Sequence, residues 1–166
     1  MTWNDYYRRR EIIDAALRQA RRDPAGRLPF AEIPGAEDEF GSEQNLLLAL
    51  QYKWTQRLAG YLRTEVIDDT DHVDAVTRAW HRASVENRTL RTVLDANADR
   101  YPALCSAHEA EQRMLAVTAG LADASEPATE ITKVGAAFEA LLRHGPQIQP
   151  ARNAVGQLLR MLAPSA

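Results

Sequence analysis

Phe-Gly-Ser-Glu-Gln-Asn-Leu-Leu-Leu-Ala-Leu, residues 40–50, decides the fold of this chain. Ser42 has the short oxygen-bearing side chain that caps a helix start, and Glu43 stands in the first turn, where a carboxylate interacts favourably with the helix dipole. From there Leu46, Leu47, Leu50, Trp54, Leu58, Tyr61 and Leu62 recur at steps of three and four. Such spacing puts them on one face of a helix, so a long helix is predicted over residues 43–66.

Working outward, the same periodicity covers nearly the whole chain. Upstream, a helix is predicted over 4–23, capped by Thr2 or Asn4 and ended by Pro24, with Ile12, Ile13, Ala16, Leu17 and Ala20 on one face. Residues 24–41 then hold Pro24, Gly26, Pro29, Pro34, Gly35 and Gly41, and are predicted to be the main irregular segment, with one helical turn at 29–33. Downstream, Asp68-Asp69-Thr70-Asp71 is a turn and cap; it lacks the glycine and closing glutamate of a calcium loop. Helices are predicted over 72–85, 90–97 and, opened by Pro102, over 102–122. A further helix opened by Pro127 is closed by Gly145, and a last one covers 151–162. Strand-like alternation is not sustained anywhere, so the fold class is all-α: a single-domain bundle of about seven helices.

Composition agrees with a folded protein. The 166 residues are 45% hydrophobic and 26% charged, and the formal net charge is −3. Charge is uneven along the chain. Residues 8–27 carry seven arginines against Glu11, Asp14 and Asp23, a net of +4, whereas residues 28–50 carry five acids and no base, a net of −5. A single cysteine, Cys105, allows no internal disulfide. The N-terminus has no apolar run after its charges and no stretch is apolar enough to cross a membrane, so a cytoplasmic location is expected.

Several segments resemble the TetR (tetracycline-repressor) family of regulators. Arg-Arg-Glu-Ile-Ile-Asp-Ala-Ala-Leu, 9–17, looks like the first helix of that family's DNA-binding region, and residues 40–50 are similar to the segment where its recognition helix ends and the next helix begins. Residues 79–94 and Tyr-Pro-Ala-Leu, 101–104, resemble its ligand-binding and dimerisation half. The resemblance divides the chain into a degenerate DNA-binding-like region, 1–41, and a helical ligand-binding and dimerisation bundle, 42–166. The departure lies in between. A helix-turn-helix takes roughly 18–20 residues, yet only eleven separate Leu28 from Phe40, with Pro34-Gly35 at their centre and Glu37-Asp38-Glu39 at their end. Acids there oppose a phosphate backbone.

These features point to a non-enzymatic TetR-like protein that binds a small apolar ligand or a protein partner, without normal operator binding. The alternative is a repressor that still contacts DNA through Arg8, Arg9 and Arg10 beside Trp3, Tyr6 and Tyr7. Candidates to line a pocket between helices are Trp54, Trp80, His81, His108 and Met114. Cys105 and His108 share a helical face but have no second ligand pair, so they are read as packing residues, with no metal, cofactor or catalytic group expected. The two C-terminal helices mix small and large apolar residues (Gly135, Ala136, Ala137, Phe138 and Leu142, then Gly156, Leu158, Leu159 and Leu162), which suits a homodimer interface.

Overall fold

The computed structural model describes residues 3–67 and 70–145. The expected last helix, 151–162, and the turn residues 68 and 69 lie outside the described residues. Within them the protein is an all-α bundle of seven helices. These are α1, Trp3–Ala20; α2, Ala36–Phe40; α3, Glu43–Val66; α4, His72–Glu86; α5, Arg88–Asn97; α6, Pro102–Thr118; and α7, Ala128–His144. A 3-10 turn, Phe30–Glu32, lies between α1 and α2.

Six of the expected helices lie among the described residues, and the irregular segment contains a further short helix, α2. It exists because two glycines bracket it. Gly35 (φ 78°) and Gly41 (φ 69°) both take the left-handed conformation that other residues avoid. The Gly41 N–H bonds the Glu37 carbonyl at 2.8 Å and ends α2. One residue later Ser42 accepts the Asn45 N–H at 3.2 Å, the predicted cap, while the Asn45 side chain donates to the Phe40 carbonyl at 2.8 Å. Two helices therefore meet at a fixed corner. Helix α1 ends at Ala20 and α6 at Thr118, each a few residues earlier than the periodicity suggests.

Helix α3 is the spine. Leu46, Leu47, Leu50, Trp54 and Leu58 have no exposed surface. α4, α5 and α6 all pack on it, and α6 packs along α7. Ile12, Ala16 and Ala20 of α1, with Leu28, Ile33, Ala36 and Phe40, belong to the same continuous core. The α6–α7 approach is close enough to require glycine. A Cβ on Gly135 would fall inside the van der Waals envelope of the Gln112 carbonyl. No helix among the described residues is long and apolar enough to cross a membrane.

Candidate functional site

The centre of the bundle is charged. Arg91 of α5, Glu111 of α6 and Glu139 of α7 are all buried. The Arg91 guanidinium donates to Glu111 at 2.8 Å, to Glu139 at 3.3 Å and reaches Asp95 at 2.6 Å. Glu111 also accepts the Gln51 amide and the Trp54 indole N–H, each at 2.9 Å. Glu139 is held by His108 at 3.1 Å, Gln112 at 2.9 Å and Arg143 at 2.7 Å, and Arg143 turns back to Asp95 at 2.9 Å. Arg91 also lies 5.0 Å from the centre of the Trp54 ring and 6.0 Å from that of Trp80, within cation–π range.

The charges in this cluster balance when His108 is protonated: Arg91, Arg143 and His108 against Asp95, Glu111 and Glu139. Burial pushes the Glu139 carboxyl up, but hydrogen bonds from His108, Gln112 and Arg143 outweigh it and hold the pKa down at about 2. The bond to Glu139 raises the His108 pKa against the opposing effect of burial. Burial works against the charge of Arg143, yet Asp95 and Glu139 keep it firmly protonated.

Of the expected pocket residues, the structure brings Trp54, Trp80 and His108 together, around this ion network. Met114 packs half-buried against the core. His81 stands apart. It meets Trp80 edge-on, its pKa lowered by burial, and lines a separate cleft of about 390 Å³ with Glu65, Arg78 and Arg82. Cys105 donates to the Ala98 carbonyl at 3.4 Å. Among the described residues no cluster of three or more His, Cys, Asp or Glu is arranged to hold a metal ion. The α7 face expected to pair subunits is partly used within the chain, since Gly135, Phe138 and Leu142 are buried, whereas Ala136, Ala137 and Leu141 are exposed.

Sequence pointed to Glu111 only as a neighbour of His108 and did not single out Arg91 or Glu139, although a signal exists. Glu111 stands seven residues after Leu104 and four before Leu115. Glu139 stands four after Gly135 and three before Leu142. Each charge is in phase with its own helix's core stripe.

A surface groove of about 960 Å³ lies between α1 and the α2–α3 corner. Ile13, Phe40, Leu48 and Ala49 supply apolar surface, with Tyr6 and Tyr52 beside them. Both tyrosines are more than half exposed. The cations Arg9, Arg10, Lys53 and Arg57 also line it, against the single acid Glu39. The groove is in place because of the corner: Phe40 is driven inward by the αL turn at Gly41, and Arg9 stacks on its ring at 4.7 Å while pairing with Glu39 at 3.5 Å. Arg10 lies 4.0 Å from Asp14, itself held below the usual carboxylate range by its bond from Lys53 at 2.8 Å. Of the three arginines expected at a DNA surface, Arg9 and Arg10 therefore belong to this groove, and Arg8 is exposed outside it. Among known proteins, no family model, no curated protein and no solved structure matches this chain.

Proposed function

We propose that the protein is a non-enzymatic binding protein whose α1–α3 groove takes a segment of a protein partner bearing apolar and acidic side chains. The observation that carries this is the groove's composition: an apolar and aromatic surface with four cations against one acid. Apolar side chains fill the floor and carboxylates meet the rim, where charge complementarity speeds encounter and rejects basic partners. Exposed tyrosines are the side chains that most often anchor such contacts. A groove this open covers one side of an extended or helical segment, whereas small-molecule sites enclose most of their ligand.

A catalytic role has less support. The network's titratable groups His108, half-buried, and Glu139, buried, are engaged by each other, and Glu139 also by arginines, away from the groove. Operator binding is also less well supported. Between α1 and α3 stand a single 3-10 turn and the five-residue α2, whose Glu37 and Asp38 are exposed. A DNA-reading helix needs a longer exposed face lined with donors. A TetR-like ancestry rests on the residue likeness alone.

Selection from a displayed peptide library tests the proposal. Enrichment of sequences that alternate apolar residues with Asp or Glu is expected, and Tyr52→Glu should abolish it. Tyr52 is exposed, so that change leaves the core untouched. Enrichment of neutral or basic sequences, or selection indifferent to Tyr52→Glu, refutes the proposal.

A further inference from the structure

A second cleft, of about 490 Å³, lies where α1 and α3 meet the α4–α5 junction. Its lining is strongly basic: Arg18 and Arg21 from α1, Lys53 and Arg57 from α3, and Arg88 from the first turn of α5. Only Asp14 and Glu86 oppose them, and both are engaged. Asp14 takes Lys53 at 2.8 Å, and Glu86 pairs with Arg82 at 3.1 Å and bonds the Tyr61 hydroxyl. Among the described residues, Arg18, Arg21, Arg57 and Arg88 form no ion pair at contact distance; Arg18 acts on Asp14 only through space, while Asp14 is bonded to Lys53.

The backbone adds to this field. Asn87 precedes α5 but does not cap it. Its side-chain oxygen is taken by Arg57 at 2.7 Å, and its side-chain amide donates back to the Ala83 carbonyl at 2.9 Å. The first turn of α5, Arg88, Thr89 and Leu90, therefore lines the cleft with no side-chain cap over it. The N–H groups of a helix's first turn have no acceptor within the helix, and the dipole places positive potential there.

Like charges gathered in one cleft repel one another. A multiply charged anion turns that repulsion into charge-assisted hydrogen bonds, and guanidinium groups fit phosphate oxygens two at a time. We propose that this cleft binds a small anion carrying two or more phosphate groups. A cleft of about 490 Å³ falls within the usual range for small-ligand sites and matches a di- or triphosphate with a modest organic group. Duplex nucleic acid fits less well, because the cations converge in a bounded cleft instead of running along a helix face.

Calorimetric titration of the full chain with tripolyphosphate at physiological salt tests this. Saturable binding of one anion per chain is expected. Arg88→Gln and the double change Arg18→Gln with Arg21→Gln should each weaken it by about tenfold or more, the scale of a lost charge-assisted pair. Arg18, Arg21 and Arg88 are exposed and lie outside the peptide groove. Their substitution should leave the circular-dichroism thermal midpoint unchanged, and failure here is separable from failure of the groove proposal. Tyr52→Glu should leave tripolyphosphate binding as in the native chain. Absence of saturable binding, affinity indifferent to both arginine variants, or binding of random duplex that tripolyphosphate does not displace would each overturn the proposal.

Discussion

Replacing Arg91 with Met tests whether the buried ion network holds the bundle together. The Arg91 side chain is 7% exposed and that of Glu111 0%. In Arg91→Met, Glu139 keeps Arg143 and His108, but Glu111 keeps only the neutral donors of Gln51 and Trp54. A buried carboxylate deprived of its cation costs about 3–5 kcal/mol, a large share of the 5–15 kcal/mol typical of a domain. The reverse change, Glu111→Leu, leaves Arg91 with Asp95 and Glu139 but strands two buried donors, at about 1–3 kcal/mol each. In the double variant the charge and its partner leave together, so its loss should fall short of the sum by about 2 kcal/mol. Urea unfolding followed by circular dichroism reads all three. At a slope of about 2 kcal/mol per molar, Arg91→Met should lower the midpoint by about 2 M. A loss under about 1 kcal/mol for Arg91→Met, or additivity within about 0.5 kcal/mol, would refute the network as a stabilising unit.

Three further outcomes are expected. Gly135→Ala drives a methyl group into the Gln112 backbone and should cost about 1–3 kcal/mol by overpacking; an unchanged thermal midpoint would mean that α6 and α7 are not in close approach. Stability should depend on pH from both sides. The His108 pKa is raised in the folded state, so its contribution is complete below 6.5 and is lost as pH rises through the higher folded value; Glu139 is lowered from 4.5 to about 2, so its contribution is complete above 4.5 and is lost as pH falls toward 2. Thermal midpoints should therefore be highest between these limits, and His108→Gln should remove the alkaline decline; a flat profile would exclude the His108–Glu139 pair. Finally, light scattering should give twice the 18.5 kDa chain mass, with Leu141→Glu, at a residue 67% exposed on α7, shifting it to monomer; a native monomer rules out the dimer.

The long helices were legible because their signals are local and redundant. For α3, the Ser42 cap, the Glu43 charge and seven apolar residues at helical spacing all agree. Helix α2 was not, because five residues between two glycines look like a loop, and only the αL geometry at Gly35 and Gly41 shows that the glycines end a helix and do not prevent one. The surface sites were half legible. Arginines in residues 8–27 were plain, but their sorting was not: Arg9 and Arg10 join the groove with α3, whereas Arg18 and Arg21 meet Arg57 and Arg88 from distant parts of the chain. Tertiary convergence leaves no mark in local spacing. Charged residues are usually solvated, so composition alone gives no reason to place Arg91 and Glu139 inside, and only their phase does.

The bonds of the central network join residues far apart in sequence: 60 positions from Gln51 to Glu111, 57 from Trp54 to Glu111, and 48 from Arg91 to Glu139. None can form until α6 or α7 has closed its loop back onto α3 or α5, so each bond carries the closure entropy of a long loop. Apolar stripes permit neighbouring helices to slide by a turn at small cost, but a slip of one turn would strand each carboxylate among leucines. The cluster thus fixes one alignment where the apolar stripes alone would accept several. Conservative changes within it should accelerate unfolding far more than they slow folding, the kinetic mark of contacts made after the transition state.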